Sequence, residues 1–172
     1  MVAIISACQD GRIPAEVAVV LAPNNDSLAV QKAKEMGVPV AIVEPGLEDY
    51  GAALLGVLST CDLVCLAGYL RLLPTAVLQA FPNRILNVHP ALLPKFGGKG
   101  MYGMHVHRAV LDAGEKESGA TVHLVTENYD EGTIVVQRRC PVLPGDTPES
   151  LSKRVLAEEH EAYVEAIRKV LG

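Results

Sequence analysis

The stretch RILNVHPALLPKFGGKGMYGMHVH, residues 84–107, concentrates side chains able to do chemistry. Asn87 and His89 stand two apart at the end of an apolar run that reads as a strand. Alternate residues of a strand share a face, so the amide and the imidazole are expected side by side. Such a pair can donate hydrogen bonds to a developing oxyanion, and the imidazole can also move a proton. An Asn and a His satisfied by loop backbone account for the same two residues equally well. His105 and His107 suggest a metal pair, but on a helix two-residue spacing sets side chains about 200° apart. No third ligand has a fitting spacing, so no metal is expected. Gly98, Gly100 and Gly103 spell G-x-G-x-x-G. A dinucleotide fingerprint needs a strand directly before it and an acidic residue about 20 positions on. Here PALLPKF intervenes, so a flexible loop over a site is the expectation.

Three further residues stand out. Asp130 lies in NYDEG, where turn geometry alone favours an Asp. Glu159 falls on the apolar stripe of the last helix, four residues from both Val155 and Tyr163. A carboxylate there either rides the edge of the stripe or points into a site. Arg71, in GYLRLLP, is either a solvated surface residue or a clamp for an anion.

The elements that must position these residues follow from the apolar pattern. Residues 2–11 read as the back half of a helix stopped by Gly11, without a cap before it. Strands are expected over 15–22, 38–43, 62–68 and 84–89, alternating with helices over 26–37, 47–60 and 74–81. Strands that are continuously apolar and alternate with helices imply a parallel sheet covered on both faces. A helix over 105–114 follows, then strands over 119–127 and 133–142 as an antiparallel pair. A long last helix starts at the cap Thr147 with Pro148 at its first position. The fold class is therefore α/β, Rossmann-like, a mostly parallel twisted sheet flanked by helices. Folds of this kind open with a strand whose loop meets the first helix, and that strand and loop are expected to be missing here.

The chain has 172 residues, which fits a single domain over 1–172. Net charge is -5, so a broad nucleic-acid surface is not expected. No apolar run approaches the roughly 18 residues of a membrane span. The four cysteines, with no C-x-x-C, are expected as free thiols in a reducing cytoplasm.

LAGYLRLLP (66–74), ILNVHPALLPKF (85–96), HRAVLDAG (107–114), GATVHLVTENYDEGTIVVQ (119–137) and EEH (158–160) together resemble the folate-dependent formyltransferases. The resemblance runs from about residue 3 to the end, and N-x-H-P-x-L-L-P followed by D-x-G is its specific part. It implies the formyltransferase fold and transfer of the formyl group of 10-formyltetrahydrofolate to the amine of glycinamide ribonucleotide, in purine biosynthesis. It carries catalytic roles onto Asn87, His89 and Asp130, with His89 protonated beside the Asp130 carboxylate. Folate contacts are implied for Leu70, Arg71, Leu72 and Leu73, for Asn87, and for Val125, Thr126, Glu127, Asn128, Tyr129 and Asp130. Nucleotide contacts are implied for Pro90 and Glu159. No metal is implied. The implied partners are small molecules, without nucleic acid or membrane, for a monomer or weak homodimer.

The sequence departs from the family in three places. Residues 1–11 hold no G-x-G-S-N phosphate loop, Leu47 and Leu156 stand where relatives often carry a basic residue and a Gln, and the loop 97–104 is longer than in some relatives. Two other readings are formyltetrahydrofolate deformylase, which tends to carry His where Pro90 stands, and a folate-binding chain without turnover.

Overall fold

The computed structural model describes residues Met1–Gly172. Twelve elements follow one another: α1 (Val2–Gln9), β1 (Val20–Ala22), α2 (Leu28–Glu35), β2 (Val40–Ile42), α3 (Tyr50–Leu58), β3 (Val64–Leu66), α4 (Thr75–Ala80), β4 (Ile85–His89), α5 (Met104–Asp112), β5 (Glu117–Leu124), β6 (Ile134–Pro141) and α6 (Pro148–Leu171). Helix starts follow local chemistry. The Ser27 hydroxyl accepts from Ala29 N–H at 3.2 Å and caps α2. Thr147 and Ser150 exchange side-chain and backbone hydrogen bonds in a capping box, with Pro148 next, so α6 begins sharply and runs 24 residues.

The strands form two hydrogen-bonded ladders. One pairs β1 with β2 in parallel, and the other runs β3-β4-β5-β6. In the second, β3 and β4 are parallel while β4–β5 and β5–β6 are antiparallel. The sequence led us to expect one sheet, and no backbone ladder joins β1 to β3. Side chains bridge the two instead: Leu21 of β1 and Val64 and Leu66 of β3 pack on the cluster of Val43, Leu54, Leu58, Val77 and Ile85. The observed β1 and β3 are shorter than the apolar runs that suggested them. Residues 15–19 find no strand opposite, because the parallel partner starts only at Val40.

The largest core cluster lies between β4, β5 and β6 and the helices α1 and α6, through Leu86, Ala120, Val122, Val136, Ala162 and Tyr163. β4 is hydrogen-bonded on both edges, by β3 and by β5. Asn87 is thus held from both sides, by Leu66 and His123, and His89 from one, by Thr121.

Candidate functional site

The register of the sheet decides which side chains meet. Across from Asn87 on β5 stands His123, and across from His89 stands Thr121. Asn87 Nδ2 lies 3.2 Å from His123 Nε2. His123 Nδ1 lies 2.9 Å from the Leu124 carbonyl oxygen, to which a protonated Nδ1 donates. His89 places Nε2 2.7 Å from the Phe96 carbonyl oxygen. Asp130 joins the two imidazoles: its Oδ2 lies 3.4 Å from His89 Nδ1, and its Oδ1 lies 3.4 Å from His123 Nε2. Gly98 N–H donates to Asp130 Oδ2 at 2.9 Å. His89 and His123 are buried and the Asp130 carboxylate is nearly so. One carboxylate thus serves two imidazoles beside an amide, at the end of a strand.

Burial shifts these groups in opposing ways. It lowers the His89 pKa below the ordinary imidazole value, and His123 adds to that. Asp130 and the Phe96 carbonyl pull it partly back, but the resting ring favours the neutral form. The charged form is thus left to a partner that brings negative charge to the ring. For Asp130, burial alone would raise the pKa. The His123 hydrogen bond, the charge of His89 and the Gly98 N–H together outweigh burial and hold the carboxyl below its ordinary value.

Local backbone features aim these side chains. A β-bulge interrupts the β5–β6 ladder at Val122 and His123, so that His123 pairs with Ile134 and Val135 is skipped. Asp130 adopts φ +57° in the turn that follows β5. Gly132 packs so closely that an added Cβ would run into the Leu124 carbonyl. The D-x-G spacing therefore sets Asp130 next to the carbonyl that anchors His123. At Gly97 a Cβ would meet Leu93 Cδ2 at 2.6 Å and Asp130 Cβ at 3.2 Å, which lets the loop lie against the carboxylate.

The chain after His89 is tied down by residues the sequence did not single out. Thr121 Oγ1 donates to the Ala91 carbonyl at 2.6 Å and accepts from Leu93 N–H at 3.1 Å. Gln137 Nε2 donates to Thr121 Oγ1 and to the Leu93 carbonyl, both at 3.0 Å. His123 was also passed over. The signal is present: Thr121 and His123 are polar residues alternating with Ala120, Val122 and Leu124, which places both on one face.

The other expected residues fall into two groups. Leu73 and Val125 pack on the same cluster as Leu66, beside Ile85, so the segments 70–73 and 125–130 flank β4. Leu70, Arg71 and Leu72 are exposed, as are Thr126, Glu127 and Asn128, while Tyr129 is half-buried. These two segments make an apolar and polar rim around the Asn87 end. Pro90 follows His89 directly and is half-buried. Glu159 stands on α6, and its nearest opposite charge is the Met1 amine. Burial pushes the Glu159 carboxyl up to about 7. His105 is exposed and His107 buried on α5, and no group of three or more His, Cys, Asp or Glu is arranged to hold a metal.

The formyl transferase family matches residues 1–167. Among relatives, a chloroplastic phosphoribosylglycinamide formyltransferase of Arabidopsis thaliana is 46% identical over 167 residues, covering 93% of this chain and 57% of its own length. The phosphoribosylglycinamide formyltransferase of Escherichia coli is 34% identical over 167 residues, covering 94% of this chain and 76% of its own. The crystal structure of glycinamide ribonucleotide transformylase 1 from Symbiobacterium toebii superposes with TM-score 0.89 at 46% identity, over 97% of this chain and 79% of that one. This chain thus spans little more than half the length of the plant relative. The D-x-G turn, the strand ending N-x-H-P and the β3-β4-β5-β6 ladder lie within the matched residues, and on that match the chain belongs to the formyl transferase family.

Proposed function

We propose that this chain moves the formyl group of 10-formyltetrahydrofolate to the amine of glycinamide ribonucleotide, as the names of its relatives suggest for them. The observation that carries the reading is the Asp130 carboxylate set 3.4 Å from each of two buried imidazoles, beside Asn87. The amine nitrogen attacks the formyl carbon, and the carbonyl π pair moves to oxygen. Collapse of the tetrahedral intermediate breaks the bond to N10, the amine gives up a proton, and N10 takes one.

Asn87 Nδ2 has two protons. One faces the His123 ring nitrogen and the other is free for the oxyanion. In the resting site the His89 Nε2 is engaged by the Phe96 carbonyl, so the formyl oxygen takes the place of that carbonyl. Negative charge on that oxygen then favours the imidazolium, with Asp130 on its other nitrogen, and His89 takes up a proton from solvent that it gives back as the oxyanion collapses. Asp130 and a water relay a proton from amine to N10. The donor's pterin and tail lie along Leu70, Arg71, Leu72 and Leu73 and along Val125–Asp130. Pro90 and Glu159 face the ribonucleotide. No step needs a metal, because protonated N10 is itself a leaving group.

No helix is long and apolar enough to cross a membrane. The four cysteines are free, which supports a reducing compartment, and we place the protein in the cytoplasm as a monomer or weak homodimer.

The direct test measures loss of formyl group from the donor with and without glycinamide ribonucleotide. Loss that depends on the amine is the expected result. Equal loss without it makes the chain a hydrolase, and no loss with tight donor binding makes it a binding protein.

Glu159 gives a pH-dependent prediction. Its folded pKa, about 7, lies above the ordinary 4.5, so the folded state holds the extra proton between those values. Its contribution to stability is complete below pH 4.5 and is lost as pH rises through 7. The ionised form, which best accepts hydrogen bonds from ribose hydroxyls, appears over the same window. We expect KM for the ribonucleotide to fall as pH rises through 7, and Glu159→Gln to flatten that dependence with little change in kcat. Parallel KM profiles for the two proteins would remove Glu159 from the nucleotide site.

A further inference from the structure

Tyr163 is buried in the core, and its hydroxyl reaches two backbone carbonyls at once: Leu66 O at 2.8 Å and Leu86 O at 2.9 Å. Leu66 is the last residue of β3, and Leu86 directly precedes Asn87 on β4. A phenol has a single proton, so it is shared between the two carbonyls or alternates between them. Other side-chain hydrogen bonds between α6 and the sheet involve Arg84, Arg138 and Pro141. Tyr163 alone ties α6 by side-chain hydrogen bonds to the last residue of β3 and to the β4 residue that precedes Asn87. Glu159 lies one helical turn before it on the same face of α6.

We infer that Tyr163 is a positioning residue, fixing the distance between Glu159, where the ribonucleotide is held, and Asn87, where the formyl carbon is attacked. The inference rests on the function proposed above. Apolar packing along Leu151, Val155, Ala162, Ala166 and Ile167 seats α6 on the sheet and gives the helix its depth. Such contacts are non-directional and tolerate small axial slips. A hydroxyl held between two carbonyls does not, because hydrogen bonds weaken steeply with misalignment. The site needs that fixity, since a misplacement of about 1 Å between reacting groups can cost about 10²-fold in rate. The hydroxyl also keeps its proton: burial raises its pKa well above the ordinary phenol value. The neighbouring Cys65 thiol is pushed up to about 12 by burial, so it brings no charge to the contact. The β3 carbonyl leads into the segment 70–73, so the same hydroxyl touches the roots of the donor and acceptor subsites.

The test is Tyr163→Phe, which removes only the hydroxyl oxygen, assayed at a temperature where circular dichroism shows both proteins fully folded. The expected result is a fall in kcat of about 10- to 100-fold with KM for the folate donor unchanged. More donor is also expected to be lost to water per formyl group transferred. A Tyr163→Phe protein with a lower Tm but parental kcat and parental coupling would overturn the inference, because a purely structural pin alters stability alone. If the phenylalanine variant does not fold, 4-aminophenylalanine at position 163 keeps a donor in the same place with altered geometry. The same split is then expected at smaller size, and unchanged kinetics overturn the inference. A parent chain that transfers no formyl group overturns the proposed function, and this inference with it. A parent that transfers while its variant matches it overturns this inference alone.

Discussion

Asp130→Asn is expected to lower kcat for formyl transfer by about 10²–10⁴-fold, the range for loss of a positioned acid–base group, with KM for the donor little changed. The size of the effect follows from the number of groups the carboxylate serves. Its two oxygens face His89 Nδ1 and His123 Nε2, and one of them also accepts the Gly98 N–H. An asparagine can keep the Gly98 bond through its oxygen. Its NH₂ then stands where Oδ1 faced His123 Nε2. The charge is lost for both rings. Asp130 opposes the burial that lowers the His89 pKa, so removing its charge moves that pKa further down. The limb of the pH–rate profile governed by His89, on which the rate falls as the imidazolium loses its proton, is expected to move to lower pH, and single-turnover rates across pH 5 to 9 read it directly. Stability shifts as well. The folded Asp130 pKa lies below the ordinary 3.8, so the carboxylate stabilises the fold above that pH and loses the contribution as pH falls through its folded value. The asparagine variant lacks this acid-dependent component. Parental kcat and an unmoved His89 limb would take Asp130 out of the mechanism.

What the sequence makes legible here has a physical logic. Asn87 and His89 stand out because a polar pair at the end of an apolar strand has few ordinary explanations, and two-residue spacing fixes their common face. The helices and the antiparallel pair are legible from period and capping, and Thr147 caps α6 as its position before Pro148 suggests. His123 is harder to see. Its importance comes from lying opposite Asn87, and sequence reading gives no register between strands 36 residues apart. The bulge opposite His123 leaves no compositional mark either, since Val135 is an ordinary strand residue. Thr121 and Gln137 act on the loop after His89 through backbone carbonyls, and a sequence names side chains only. The resting state of His89 is illegible in the sequence for a related reason. A neighbouring carboxylate is visible in a motif, whereas burial, the larger influence, exists only in the folded chain. The separation of β1–β2 from the larger ladder is also a property of pairing, which apolar runs announce without assigning partners.

Gly132→Ala is expected to damage stability and activity together, for one cause. The residue's φ is not the issue, because Gly132 is absent from the positive-φ glycines. Space is: an added Cβ would run into the Leu124 carbonyl, and backbone cannot move aside as a side chain end can. Forcing a methyl group into a closed space costs about 1–3 kcal/mol, sometimes more. For a chain of this size each kcal/mol lowers Tm by about 2–4 °C, so a drop of about 2–12 °C is expected by thermal denaturation. The same carbonyl lies 2.9 Å from His123 Nδ1. Displacing it releases the ring from the position that sets its Nε2 beside Asn87 and Asp130, so the rate falls even well below Tm. A suitable control is Gly56→Ala, on α3, where an added Cβ meets nothing within 4 Å. There the methyl group favours the helix by about 0.8–1 kcal/mol, so Tm should hold or rise with activity intact. A Gly132→Ala protein matching the parent in Tm and rate would show that the Leu124 carbonyl can yield without moving His123. The D-x-G spacing would then owe its glycine to the turn alone. Loss of rate without loss of stability would instead place the whole effect on the imidazole. The fall of both is the expected outcome, because one carbonyl oxygen closes the turn and holds the ring.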